Sequence, residues 1–511
     1  MKSFTRKKKI NGIEYFYEIT PYYDKETKKI KQHSKYLGKD IEGKPVVVRS
    51  KLPRRTYSYG EFIPSLDIIN QFKFYEILTQ YLSEKEAKVI LTLAQNRVIR
   101  PLALNNIASW FEGTILKKLY DDLPLSSQSL SNLLHKIGES DLPLYFSKHI
   151  IGESKTASTL IYDITSLSSY SELIKFLEYG HNRDNENLPQ VNLSVIVDKN
   201  RGIPVMYEIY PGSIVDVTTL KNTIHKLESL GVKELAMIID RGFYSAPNME
   251  ELTSHDFSFI IPLPLTVKIA KQMLSNIHNE ITDPNLLKMY NGETIFVLPV
   301  TIPVNELNLD GFCYYSPKRE HDQMEAFYKN LHNVVEALRK IKLKSWMDPQ
   351  EVVERTAKKL YSYIKWNIKG DIFEVSIRKK AVAQRVNRMG KFILIYKGNF
   401  DWKDCLSTYR GKDIVEKGFD ILKNDLDTVP FNVQKDTTFR GLLFVCFIAL
   451  IIRMKLIKSM GDCHLVEKYS VEGMFLELEK IKKIDLTNGE TIVSELTKKH
   501  KDILDCMGLC A

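Results

Sequence analysis

What the sequence lacks narrows its class first. Its six cysteines, at 313, 405, 446, 463, 506 and 510, include no CxxC pair and no paired spacing. That argues against a zinc finger and leads us to expect free thiols in a reducing compartment. The opening MKSFTRKKKINGIEYF has no apolar core, so no secretory signal is expected. The longest apolar run, GLLFVCFIALII at 441–452, is too short to cross a bilayer and reads as a buried helix. There is no internal repeat and no low-complexity linker.

What is present is an ordinary globular chain long enough for several domains: 511 residues, 44% hydrophobic and 27% charged. Its charge is uneven. Residues 1–60 hold 16 Lys and Arg against 6 Asp and Glu, which already equals the net +10 of the whole chain. A basic module on a neutral body points to a polyanion, most simply nucleic acid; a solubilising basic tail is the alternative.

Along the chain, residues 1–60 alternate in places and read as a small β-rich unit. Residues 61–150 turn helical, as a DNA-binding domain or a packing scaffold. Then come apolar strands. TLIYDIT ends near Asp163, and QVNLSVIVDK (190–199) and IPVMYEIYPG (203–212) follow, joined by the turn residues NRG. These three can pair as a meander. A helix, VTTLKNTIHKLESLG, leads to the strand ELAMIIDRG, which ends at Asp240. A further helix leads to the strand FSFIIPLP. A helix between strands predicts a parallel crossover, with Asp163 and Asp240 at the strand ends where ligands bind in open α/β sheets. We therefore expect an α/β fold whose first part spans 155–264. Residues 265–390 read as an insertion subdomain, and 391–460 as the second part, opening with the strand KFILIYK. Residues 461–511 read as a C-terminal helix and hairpin unit, with Asn488-Gly489 suited to a tight turn.

The stretch STYRGKDIVEKGFDILKND (407–425) reads as one helix, with Asp401 a good N-cap before it. On a regular helix, Tyr409, Glu416 and Lys423 lie nearly in line, with Lys412 one turn before Glu416. Ile414, Val415, Ile421 and Leu422 fall on the opposite, packing face. A surface helix with Lys–Glu pairs is one reading. The other is a metal-binding carboxylate flanked by phosphate-holding cations. Asp163, Asp240 and Glu416 together match two-metal phosphoryl chemistry, in which two divalent ions about 3.5–4 Å apart stabilise attacking and leaving oxygens. A phosphatase with Asp163 as nucleophile is a rival, but it wants an acid two residues on, where Thr165 stands.

These motifs resemble the DDE transposases of insertion sequences, in the insertion-sequence-four superfamily with the Tyr-Arg-Glu-Lys signature. Tyr409, Lys412, Glu416 and Lys423 stand at the signature spacings. The second-acid motif, Asp-x-Gly-x-Tyr or Phe, is met by Asp240-Arg241-Gly242-Phe243-Tyr244. The first acid is met by Asp163 in LIYDITSLSSYSE. The likeness covers about 155–460, and the one departure is Lys412 in place of the signature Arg. The resemblance implies an RNase H-like core interrupted by a β-rich insertion, and cut-and-paste transposition. Asp163, Asp240 and Glu416 would be catalytic, binding two Mg²⁺ ions for which Mn²⁺ can substitute. Tyr409, Lys412 and Lys423 would contact DNA phosphates. The implied partners are double-stranded DNA, as transposon inverted-repeat ends and target, and a second copy in a synaptic homodimer. No membrane is implied, and the implied setting is cytoplasmic, nucleoid-associated and prokaryotic. The insertion would grip DNA, with Arg378, Lys379, Lys380 and Trp366 as contacts, against a solvated face and a core Trp as the plain alternatives. A retired transposase that only binds DNA is the alternative function.

Overall fold

The computed structural model describes residues 2–510 apart from 26, 48–51, 153–157, 169–170, 172–173, 181–187, 215, 233–234, 256, 278–279, 427–432 and 434. The chain divides into two compact units, Met1–Leu130 with Leu456–Ala511, and Ser131–Lys455.

The first unit begins with an antiparallel meander of four strands, Phe4–Ile10, Ile13–Asp24, Lys29–Ile41 and Lys44–Val46. Its first strand, FTRKKKI, is exposed along its whole length. The strand Pro53–Ser58 pairs instead with Lys482–Leu486, which pairs with Thr491–Val493. The expected C-terminal hairpin is therefore present, closed by a loop in which Gly489 takes the left-handed φ of 91°. One expectation fails here: Cys463 and Cys506 are not free thiols but a disulfide, with their Cα atoms 5.8 Å apart. They are 43 residues apart in sequence, and chain folding rather than a motif brings them together. Among the described residues, Cys313, Cys405, Cys446 and Cys510 are in no disulfide.

The second unit is built on a mixed sheet of nine strands flanked by helices. We number its strands β1 (Ser158–Ser168), β2 (Gln190–Asp198), β3 (Ile203–Pro211), β4 (Leu235–Ile239), β5 (Ser258–Leu263), β6 (Leu287–Tyr290), β7 (Glu293–Val304), β8 (Leu307–Tyr315) and β9 (Lys391–Lys397). The order across the sheet is β6-β7-β8-β9-β5-β4-β1-β2-β3. The meander β1-β2-β3 is antiparallel, with β2 and β3 joined by a short turn at residues 199–202. β4 lies parallel to β1 and β5 parallel to β4. Their crossovers run through the helices α1 (Asp216–Ser229) and α2 (Ala246–Ser254). β2 is buried at every position, its polar Gln190, Asn192, Ser194 and Asp198 included.

Residues 265–390 divide. β6, β7 and β8 extend the main sheet, with β8 pairing along β9. The helix α3 (Pro317–Lys340), the helix Pro349–Ala357 and the hairpin Ile364–Lys369/Ile372–Ile377 instead share a core of their own around Phe327, Leu331, Val335, Val353 and Phe373. The chain then passes through β9 to two short helices, α4 (Trp402–Arg410) and α5 (Asp413–Asp420), and to the long helix α6 (Asp436–Asp462). The run GLLFVCFIALII lies in α6, buried throughout. Among the described residues no helix is long and apolar enough to cross a membrane.

α6 meets the helix Ser127–Glu139 backbone to backbone. A Cβ added at Gly138 would lie 1.8 Å from the Thr437 carbonyl oxygen, and one at Gly441 would lie 1.9 Å from that of Leu134. Helix propensity favours Ala over Gly by about 1 kcal/mol. Contacts this short with main chain outweigh it, because the backbones must separate. Gly138→Ala and Gly441→Ala should each destabilise the fold by about 1–3 kcal/mol. Gly461→Ala, in the same helix α6 but with nothing within 4 Å, should leave stability unchanged or raise it. Thermal unfolding of the three variants checks this.

Candidate active site

The register of two strands places the first two acids. β1 and β4 run parallel, and their last paired residues are Tyr162 and Ile239. The next residue on each strand is an aspartate, Asp163 and Asp240, so the two emerge side by side. The sequence reading ended β1 near Asp163. The strand in fact continues to Ser168, because β2 keeps pairing with it as far as Gln190. Asp163 is thus the end of the parallel pairing but the middle of its own strand. Its Oδ1 accepts a hydrogen bond from the Ile164 backbone N–H at 2.8 Å, which fixes the carboxylate against the sheet.

The third acid comes from the segment expected to be one helix. That expectation is corrected: α4 ends at Arg410, α5 begins at Asp413, and a wider π turn follows over Ile421–Asp425. Asp401 caps α4, accepting from the Asp404 N–H. At the break the bonds tighten to three-residue spacing: the Lys412 N–H donates to the Tyr409 carbonyl at 3.0 Å and the Val415 N–H to the Lys412 carbonyl at 2.9 Å. Gly411 sits against Lys199, and a Cβ there would lie 2.8 Å from Lys199 Cε.

The break brings Lys412 to the acids. Its Nζ lies 2.7 Å from Asp240 Oδ1, 3.4 Å from Asp163 Oδ2 and 3.8 Å from Glu416 Oε1. Lys412 is 8% exposed and Asp163 7%, whereas Asp240 is half-buried and Glu416 faces solvent. Burial alone would lower the Lys412 pKa. The charges of Asp163 and Asp240, with the hydrogen bond to Asp240, outweigh it, and the net direction is up. For Asp240 burial pushes the pKa up, but the Lys412 charge and hydrogen bond and the Arg241 N–H and charge carry it below the ordinary carboxylate value. Lys412 and Asp240 hold each other charged.

Tyr409 stands beside it. Burial raises its phenol pKa, with Lys412 and Asp240 among the nearest charges, so it keeps its proton as a donor. Lys423 is the exception: it is half-buried in the π turn and is not among the residues lining the cavity. The helix break and the wider turn spoil the heptad line that had aligned it with Tyr409 and Glu416.

That cavity, of about 660 Å³, is lined by Asp240, Tyr409, Lys412 and Glu416 and by a wall of cations: Arg241, Arg319, Arg385, Arg388, Lys391 and Arg410. No motif in the sequence marks this wall, because its members come from separate segments. The insertion residues expected to contact DNA lie elsewhere. Trp366 packs edge-on to Phe373 in the α3 core, and Arg378, Lys379 and Lys380 are exposed outside the cavity.

Chemically, three carboxylates converge on one point that already holds a cationic nitrogen. Oxygen donors of this kind suit a hard divalent ion such as Mg²⁺, which needs few protein ligands. The donor set therefore fits such an ion, beside the cationic lining of the cavity.

The Transposase DDE domain family matches residues 154–452. No curated protein matches the chain. Among solved structures, the cryo-EM structure of a piggyBac transposase synaptic complex with hairpin DNA is similar at 10% identity and a TM-score of 0.38, covering 82% of this chain and 79% of that chain. A likeness that weak assigns no role to any residue.

Removing the Lys412 ammonium leaves the carboxylates without their counter-charge. Breaking a buried ion pair costs roughly 3–5 kcal/mol, and the partial exposure of Asp240 places this one near the lower figure. Lys412→Met should therefore destabilise the metal-free protein by about 3 kcal/mol. The exposed ion Glu416→Gln should cost under about 1 kcal/mol. Denaturant unfolding in chelator measures both.

Proposed function

The chain belongs to the Transposase DDE domain family, and on that premise we propose that it is a DNA transposase of the Tyr-Arg-Glu-Lys branch, cutting the ends of its insertion sequence and joining them to new DNA. The observation that carries this reading is the meeting of Asp163, Asp240 and Glu416, from two strands and a helix, within 3.8 Å of one nitrogen. The sheet order, with a meander, a parallel crossover and further parallel strands, supports an RNase H-like core. On this reading the segment α3 to Val386, with its own core, is the DNA-gripping insertion.

Asp163, Asp240 and Glu416 would hold the two Mg²⁺ ions. When bound, these supply Lewis-acid polarisation of the phosphodiester and activation of a water. The protein does the rest. Adjacent parallel strands keep Asp163 and Asp240 at fixed separation, and α5 brings Glu416 to them. The arginines of the cavity wall neutralise the phosphates on either side of the scissile bond, and their forked donors fix its direction. Tyr409 donates its phenol hydrogen to a phosphate oxygen. Lys412 offers one ammonium where the signature offers a guanidinium, so it supplies charge without a fork. Lys423 contacts the backbone farther along the strand. Cleavage frees a 3′-hydroxyl, which then attacks the opposite strand or target DNA. The basic meander of residues 1–60 and the helices of 61–150 bind flanking duplex, in a cytoplasmic, nucleoid-bound homodimer that pairs two ends.

A plasmid carrying the gene and its native flanks tests the proposal. With purified protein and Mg²⁺, nucleotide-resolution mapping should find breaks at paired inverted sequences. Glu416→Gln should bind the same DNA and leave no breaks. Equal cutting by Glu416→Gln would overturn the catalytic assignment. Binding should also report the cation wall. Arg385 is exposed and lines the cavity, so Arg385→Ala should reduce the slope of log affinity against log salt by about 0.9, one phosphate contact. An unchanged slope would remove it from the interface.

A further inference from the structure

The second unit holds another set of metal-donor side chains, separate from the three acids. α1 carries His225 and, three residues on, Glu228, so both lie on one face of the helix. α2 carries Glu251, and His255 follows just past its end, four residues on. The two pairs face each other. One donor atom from each of His225, Glu228 and His255 lies within 4.8 Å of the others. His255 Nδ1 is 2.6 Å from Glu228 Oε1, and His225 Nδ1 is 3.8 Å from Glu228 Oε2. The opposite nitrogens of both rings meet a different carboxylate: His225 Nε2 and His255 Nε2 lie 3.3 and 3.2 Å from Glu251 Oε1.

We propose that His225, His255 and Glu228 form a second metal site, selective for zinc. Four-coordinate zinc takes imidazole nitrogen at about 2.0–2.1 Å and carboxylate oxygen at about 2.0–2.2 Å. Donors arranged tetrahedrally at those lengths stand roughly 3.3 Å apart; here each imidazole reaches one Glu228 oxygen at 2.6 or 3.8 Å, and all three donors lie within 4.8 Å. Glu251 supplies what such sites add behind their ligands, a carboxylate that accepts the second N–H of each imidazole and sets its tautomer. Glu251 is itself held, with Lys221 Nζ 3.0 Å from its other oxygen. His255 is oriented by stacking on Phe257, the rings 6.0 Å apart and 18° from parallel. The exposed side of His225 and Glu228 leaves room for water as a fourth ligand. Two imidazoles with one carboxylate favour zinc over Mg²⁺, which prefers oxygen alone. The site joins α1 to α2, the helices on either side of β4 in the chain. An ion there clamps the element that ends at Asp240.

The site does not depend on the transposase reading, and its test is chosen to stand apart from DNA cleavage. The full-length protein is titrated with Zn²⁺ by calorimetry, in Mg²⁺ sufficient to saturate hard carboxylate sites. The same titration is run on His225→Ala, on the double variant His225→Ala/His255→Ala and on Asp240→Asn. The proposal expects one zinc equivalent, bound at least tenfold more weakly by His225→Ala, lost in the double variant and retained by Asp240→Asn. X-ray absorption of the zinc-loaded wild type should show two imidazoles and no sulfur. Circular dichroism shows whether the variants are folded, and Glu228→Gln, which removes the anionic ligand and keeps both histidines, should weaken binding in a folded chain. Equal zinc affinity in wild type and double variant, loss of the site in Asp240→Asn, a sulfur shell, or no binding below millimolar zinc would each overturn it.

Discussion

One ammonium among three carboxylates organises the centre of this protein. The pairing of β1 with β4 places Asp163 and Asp240 as neighbours on a rigid sheet, where neither can retreat from the other's charge. Like charges so placed raise each other's protonation unless a cation lies between them. The cation arrives from a different part of the chain, on Lys412, and an unbroken helix would not deliver it in the same way. The break between α4 and α5 is thus an electrostatic device as much as a change of direction. It turns a side chain inward, where a continuous helix would have spaced Lys412 and Glu416 along one face. The tightened bonds at Gly411 and Lys412 are the local cost of that turn.

Around this centre the electrostatics change sign over a short distance. Asp240 and Glu416 line the same cavity as Arg241, Arg319, Arg385, Arg388 and Arg410, while Asp163 lies behind them at the buried Lys412. A polyanion entering such a space is drawn to the wall and kept from the acids except through cations they hold. On the proposed reading, attraction and chemistry fall to different side chains. Lys412 lies at the border of the two, with the charge of an ammonium but not the fork of a guanidinium.

Much of this was legible in the sequence, for physical reasons that differ by element. β1, β2, β3, β4, β5 and β9 are short, largely apolar segments bounded by turn residues, and the meander of the first three with the parallel crossover to β4 follows from their order along the chain. The two aspartates stood out because each follows such a run. The break at Gly411 was not legible, since STYRGKDIVEKG keeps a helical apolar pattern across it. The π turn over Ile421–Asp425, which carries Lys423, was not legible either. The arginine wall left no trace, because Arg241, Arg319 and Arg388 are joined only by the fold. The extension of the sheet by β6, β7 and β8 was hidden by distance along the chain: β9, their neighbour, begins 76 residues after the end of β8. The bond between Cys463 and Cys506 was hidden in the same way, and the quartet of His225, Glu228, Glu251 and His255 appears only when two helices are set side by side.

The crossing of α6 with the helix Ser127–Glu139 has a consequence for how this sequence can drift. Where side chains interlock, a loss on one side can be answered by a gain on the other, and pairs of positions wander together. At Gly138 and Gly441 each glycine faces main chain, and main chain has no smaller version to offer. No second substitution restores the space. These two positions cannot compensate for each other, so they mark a fixed joint between the two helices.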